Sequence, residues 1–255
     1  MFGVNESVPR TQMVCRAARK VHDQVAASPQ PSLPIIWSEY NASYKNEPGV
    51  TDNTFMGPWL ADTIRRCDGL AQIMSYWTFS DVFEEQGVVK EPFYGGFGLI
   101  AVGGIPKPSY AAFELLHRLG NARVTISSQS ALVTRRADNS LVVATWNLTA
   151  PEQVSGSPRT VALHFQHLAP NSRAYISRVD HDHGDPRPAY EKMGSPRYPT
   201  QAQLSELRKA AALPAPEIQD LHNGELTLSI PPQGLVVIEI SSWQPATPGP
   251  MRNQH

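Results

Sequence analysis

Residues 33–43 read Leu-Pro-Ile-Ile-Trp-Ser-Glu-Tyr-Asn-Ala-Ser. A short apolar burst of this kind predicts a buried strand over Leu33–Glu39, ending on a carboxylate. What flanks it decides the class. Upstream, Met13, Val14, Ala17, Val21 and Val25 recur at helical spacing from Gln12 to Ala27, and Ser28-Pro29 ends the run. Downstream, a helix is predicted over Thr54–Asp68, opened by Asn53 or Thr54 and stopped at Gly69. A second buried strand is predicted over Ala71–Phe79. A third helix follows over Pro108–Leu119, with proline at its first position and Gly120 just past its end. Helix, strand, helix, strand, helix is the order of a parallel α/β sheet.

Near residue 120 the period changes. Ala131–Arg136, Ser140–Asn147, Thr160–Gln166, Arg173–Asp180, Glu225–Ile230 and Leu235–Ile240 read as strands, with Asn223-Gly224 as a hairpin turn. Thr200 with Gln203 makes a capping box that opens a helix through Ala211. An antiparallel β-sandwich with one inserted helix is expected here. The division is therefore an α/β part over 1–120, an all-β part over 121–243 and a disordered tail over 244–255.

The bulk composition narrows the classes. In 255 residues, 22 basic side chains against 23 acidic ones leave a net charge of −1, which lacks the footprint of a nucleic-acid binder. No apolar run approaches the roughly 18 residues needed to span a bilayer, and the first twenty residues lack a signal-peptide pattern. Cys15 and Cys67 cannot make a disulfide framework or a four-cysteine zinc site, and are expected as small buried hydrophobes.

The candidates for chemistry sit at the two strand exits. Glu39 ends the first and is followed by Tyr40 and Asn41. Catalytic side chains of α/β barrels stand where strands pass into loops. The second exit carries Tyr76, Trp77, Phe79, Asp81, Phe83, Glu84 and Glu85. Rings can pack on the apolar faces of sugars and carboxylates can accept hydrogen bonds from their hydroxyls. Asn46-Glu47-Pro48 matches the triplet that often carries the acid/base of barrel glycosidases. However, Glu39 and Glu47 would leave one strand exit, whereas a retaining pair straddles a bond at about 5–5.5 Å. His181, Asp182, His183 and Asp185 have ligand-like spacing in a proline-flanked loop, and no metal is expected there. Asn147-Leu148-Thr149 matches a glycosylation acceptor.

Three blocks in order, IIWSEYNASY (35–44), MSYWTFSDVFEEQG (74–87) and PFYGGFGLIAVGGIPKPSYAAFELLHRLG (92–120), closely resemble the C-terminal portion of glycoside hydrolase family 39, which includes β-xylosidases and α-L-iduronidases. The segment from Val179 to Pro216 also looks like that family's accessory β-domain. The resemblance implies the last two strands of a (β/α)8 TIM barrel followed by a β-sandwich, and retaining hydrolysis of terminal sugars from β-linked glycosides without metal or cofactor. It places the nucleophile on Glu39 and sugar binding on Trp77, Glu84, Glu85, Tyr40 and Asn41. The family's acid/base lies in an Asn-Glu-Pro upstream of the nucleophile, whereas the triplet here follows it. A complete barrel needs about 250 residues. The resemblance therefore implies a missing N-terminal barrel segment, encoded upstream or supplied by another chain. The rival reading is a non-catalytic carbohydrate-binding or scaffold protein. An in-frame upstream stretch with six more strands would favour the enzyme, and an independent promoter the rival. Compartment, sugar and linkage stay open.

Overall fold

The computed structural model describes residues 8–82, 88–89, 91–153, 155–166, 168–169 and 171–240. Helix α1 (Arg10–Ala26) leads to strand β1 (Ile36–Tyr40), then α2 (Pro48–Thr51), α3 (Met56–Cys67) and β2 (Ile73–Tyr76). β1 and β2 pair in parallel. A short antiparallel pair, β3 (Ile100–Ala101) and β4 (Ile105–Pro106), precedes α4 (Pro108–Leu116). Each parallel strand is thus followed by a helix, and no closed barrel forms among the described residues.

The rest of the chain is dominated by an antiparallel sheet. In chain order its elements are β5 (Ala122–Val124), β6 (Ala131–Arg135), β7 (Leu141–Trp146), β8 (Arg159–His164), β9 (Arg173–Val179), α5 (Arg187–Lys192), α6 (Gln201–Ala211), β10 (Glu217–Asp220), β11 (Glu225–Ile230) and β12 (Leu235–Ile240). Six strands join in the order β10-β9-β12-β7-β6-β5, and β8 and β11 form a separate pair. The alternation of side chains explains the layering. Leu235 and Val237 of β12, with Val142, Ala144 and Trp146 of β7, face α3 and α4. Val236, Ile238, Ile240 and Val143 point the other way, onto Leu226, Leu228 and Ile230 of β11. A strand between two apolar layers needs both of its faces apolar, hence the near-continuous LVVIEI of β12. One hydrophobic cluster runs from Phe55, Trp59 and Leu60 of the α3 region through Leu115 to Leu235, across residue 120.

Some local expectations are corrected. Asn223 and Gly224 have left-handed φ values of 55° and 74°, as a tight turn requires. They do not close a hairpin, however, because β10 pairs with β9 while β11 pairs with β8. The turn passes the chain between layers. A true hairpin joins β6 to β7, with Asn139 at φ 68°. Two helices are inserted rather than one, and only α6 carries the Thr200–Gln203 capping box. Cys15 and Cys67 are buried as expected, but they are joined in a disulfide that ties α1 to the end of α3. Their proximity comes from helix packing between positions 52 apart, which no local pattern reports.

Candidate active site

The register of two strands aims Glu39. β1 and β2 pair Ile36 with Ile73 and Trp37 with Met74, but the next pair is Tyr40 with Tyr76. Three steps on β1 thus match two on β2, a β-bulge at Ser38-Glu39. In a regular strand Glu39 would share a face with Trp37, which packs on the buried cluster. With the extra residue, Ser38 and Glu39 are both exposed together with Ile36, and Tyr40 turns inward beside Trp37.

Beneath the strands, the inward rings form a support. Tyr40, 8% exposed, lies 6.1 Å from Trp59 and stands edge-on to Tyr76 at 5.8 Å; Tyr76 in turn meets Phe113 at 5.4 Å. Burial pushes the Tyr40 hydroxyl up to about 12. Tyr40 and Tyr76 therefore brace the site from the helix side instead of lining the face that carries Glu39.

Asn41 is also a brace. Its amide nitrogen donates to the carbonyl of Trp77 and, at 3.2 Å, to that of Phe97, while its oxygen accepts from the Ala42 N–H at 2.6 Å. The Trp77 N–H donates to the Tyr40 carbonyl at 2.9 Å, so the two strand exits are sewn together by backbone and amide. Trp77 is half-buried, and its peptide bond to Thr78 is cis. Phe79 is 68% exposed. Phe83, Glu84 and Glu85 lie outside the described residues.

Asp81, grouped with the sugar-facing residues in the sequence, is buried elsewhere. The Lys107 ammonium lies 2.6 Å from an Asp52 oxygen and 3.1 and 3.2 Å from those of Asp81, with all three side chains inaccessible to solvent. Lys107 also donates to the Gly96 carbonyl at 2.8 Å. The Gly95 N–H donates to Asp52 and the Gly98 N–H to Asp81, both at 2.6 Å. Burial raises the carboxyl of Asp52. Burial, with a smaller push from the charge on Asp52, lifts Asp81 to about 6 despite the pull of Lys107. The glycines are steric requirements. A Cβ on Gly96 would come within 2.5 Å of the Asp81 carboxyl carbon, and one on Gly98 within 2.3 Å of the Asp81 nitrogen. Sequence reading missed Lys107 and Asp52. The one available signal was a lysine inside the apolar stretch LIAVGGIPKP.

Glu47 is committed elsewhere. It stands at the N-cap position of α2, and its carboxylate accepts from the Ser43 hydroxyl and pairs with Arg10 at 3.0 Å. Partial burial works to raise its carboxyl, but the Ser43 and Arg10 hydrogen bonds, with the charges of Arg10 and Lys45, hold it below the ordinary carboxylate range. That is the wrong direction for a proton donor. The His181–Asp185 loop is likewise tied up internally, with His183 on Asp180 at 2.6 Å and Asp185 on Arg187 at 3.1 Å. Asn147 is buried, and its amide donates to the Ile230 carbonyl at 3.2 Å. No helix among the described residues is long and apolar enough to cross a membrane.

Comparison with known proteins bears on this geometry. The family model for glycosyl hydrolases family 39 matches residues 4–223. A β-xylosidase of Geobacillus stearothermophilus is 34% identical over 214 residues, covering 83% of this chain and 42% of that protein. A β-xylosidase of Caldicellulosiruptor saccharolyticus is 30% identical over 222 residues, 82% of this chain and 45% of that protein. The crystal structure of a monomeric β-xylosidase from Caulobacter crescentus CB15 superposes with a TM-score of 0.81 at 27% identity, covering 92% of this chain and 51% of that one. The chain thus spans about half the length of the relatives it matches.

Proposed function

Because the chain belongs to glycosyl hydrolases family 39, we propose that Glu39 is the nucleophile of a retaining glycoside hydrolase of β-xylosidase type. The observation that carries the assignment is the bulge between Trp37 and Tyr40, which turns this carboxylate onto the open face of the parallel pair. Bulges re-aim side chains next to active sites. A carboxylate oxygen of Glu39 attacks the anomeric carbon of a terminal β-linked sugar as the bond to the leaving oxygen breaks. Water then cleaves the resulting ester with net retention. The leaving oxygen takes its proton from a second carboxyl group, a role that the Glu47 geometry does not fit.

Trp77, beside the nucleophile, offers a ring to the sugar, and Glu84 or Glu85 accepts hydrogen bonds from its hydroxyls. Residues 1–120 form the last two strands of a (β/α)8 catalytic barrel with their helices, and 121–243 an accessory β-sandwich. The open face of the parallel pair supports the partial barrel. Ile36 and Ile73, paired across the two strands, are 62% and 53% exposed, and an apolar face on a parallel sheet calls for further strands to cover it. Those strands come from an upstream segment of a longer protein or from a separate chain.

The test is covalent trapping, in the chain assembled with the rest of its barrel, with 2,4-dinitrophenyl 2-deoxy-2-fluoro-β-xyloside, whose phenolate departs without needing a proton. Peptide mass spectrometry should find the adduct on Glu39. An adduct on Glu84 or Glu85 would overturn the assignment, and no adduct at all would favour a non-catalytic sugar-binding protein.

A further inference from the structure

The Asp52–Lys107–Asp81 cluster lies outside the chemistry proposed above, yet it grips the backbone that meets the site. Four consecutive residues, Gly95 to Gly98, pass over it. Gly95 donates its N–H to Asp52, Gly96 presents its carbonyl to Lys107, and Gly98 donates its N–H to Asp81. Phe97 is the member of the four whose carbonyl faces the other way. It accepts from Asn41 at 3.2 Å and from the Thr78 N–H at 2.9 Å. Asn41 in turn holds the Trp77 carbonyl. A continuous set of hydrogen bonds therefore leads from the buried ammonium to the peptide joining Trp77 and Thr78.

We propose that Lys107 is a positioning residue of the candidate site: by holding the Gly95–Gly98 strap against Asp52 and Asp81, it sets where Phe97 places Asn41 and Trp77 beside Glu39.

A purely packing role would be served as well by an apolar side chain. Replacing a buried ion pair by well-packed apolar residues is often neutral or stabilising, so the charges alone are weak evidence for a stabilising function. Apolar side chains cannot give direction to a backbone carbonyl and two N–H groups, and Lys107 with its two carboxylates does. The anchoring is tight, because glycine alone lets the strap approach Asp81 this closely at positions 96 and 98. Lys107 is itself placed by the fold, since it is the residue before the first turn of α4 and its N–H donates to the Leu99 carbonyl at 2.9 Å. The consequence for catalysis rests on the glycosidase reading, but the hold on the strap does not.

The experiment uses the chain assembled with the rest of its barrel, as Lys107→Met and Asp81→Asn variants, with two readouts. Hydrogen exchange by mass spectrometry follows peptides covering 76–81 and 94–99, with β7 and β12 as internal references. The rate of Glu39 labelling by the fluoro-xyloside gives the functional effect per folded molecule. Expected in both variants is exchange at least tenfold faster in the two site peptides, with β7 and β12 still protected, and labelling at least tenfold slower. Uniformly faster exchange, or an unchanged labelling rate, would make Lys107 a structural residue only and overturn the proposal. If Lys107→Met fails to fold, Asp81→Asn decides, because it keeps the Lys107–Asp52 pair. A wild-type assembled protein that takes no label while the variants loosen the strap would refute the glycosidase reading and leave the hold of Lys107 on the strap standing.

Discussion

Reducing the Cys15–Cys67 disulfide should destabilise the protein by about 4 kcal/mol. The bond closes a loop between positions 52 apart. The loop-closure entropy removed from the unfolded chain, roughly 2.1 + 1.5R ln 52 cal/mol/K, is about 14 cal/mol/K, or about 4 kcal/mol at 25 °C. That is a large part of a typical total of about 5–15 kcal/mol. The structure also says where the loss falls. Of the 17 residues of α1, Cys15 and Ala18 alone are buried. They share a small cluster with Cys67 and Leu70, against which Val14, Trp37 and Met74 pack. With the crosslink gone, α1 is held by its small cluster and by the Arg10 contacts to Glu47, the Ala42 carbonyl and the Trp59 N–H. It should therefore loosen first, and with it the cover on the back of the strand carrying Glu39. Urea unfolding with and without a phosphine reductant, followed by circular dichroism and tryptophan fluorescence, measures the effect. At a slope of about 2 kcal/mol per molar, the midpoint should fall by about 2 M. Hydrogen exchange should show α1 opening before the antiparallel sheet. Midpoints within about 0.3 M of each other, or two free thiols in the unreduced unfolded chain, would refute the reasoning.

Asp81 should give stability a pH dependence. Its folded value of about 6 lies above the ordinary ~3.9, so its contribution is fully present below about pH 3.9 and is lost as pH rises through about 6. Wild type should therefore lose about 1–3 kcal/mol relative to Asp81→Asn across that window in urea titrations, and a flat difference would deny the protonation. Gly98→Ala should cost more than about 2 kcal/mol in the same assay, because the new Cβ would stand 2.3 Å from the Asp81 backbone nitrogen and neither backbone can yield freely; equal stability would disprove the close approach. Glu47→Gln should cost only about 0.5–1 kcal/mol, since the Arg10–Glu47 partners are about one-third exposed. The 255-residue chain should not turn over an alkyl β-xyloside, and turnover abolished by Glu47→Gln would reinstate Glu47 as the acid.

Much of the architecture could be read along the chain because its signals are local. The strand before Glu39, the capping box at Thr200 and the alternating strands beyond residue 130 each lie within a few residues of the structure they specify. That first strand, however, runs over Ile36–Tyr40 and is exposed on one face where its apolar run predicted burial. The helix starting at Pro108 lies where its proline predicts, although it ends at Leu116, short of Gly120. Short elements escaped notice: β5, β10 and the β3–β4 pair have two to four residues each, too few for a period to emerge. They are strands because of the partners they meet.

The sequence by itself determined the order of elements, the carboxylate at the end of the first parallel strand and the family likeness carried by three ordered blocks. Tertiary structure alone decided which way those side chains point. The face of Glu39 depends on its register against β2, more than thirty residues away, and a one-residue shift inverts it. Tyr40 and Asn41, adjacent to Glu39 and grouped with it by sequence, became a buried ring and a brace for the same reason. Lys107 with Asp52 and Asp81, and Cys15 with Cys67, are pairings between distant positions brought together by helices packed on strands. Charge neutralisation and crosslinking act through space, so their partners are fixed only when the chain has folded.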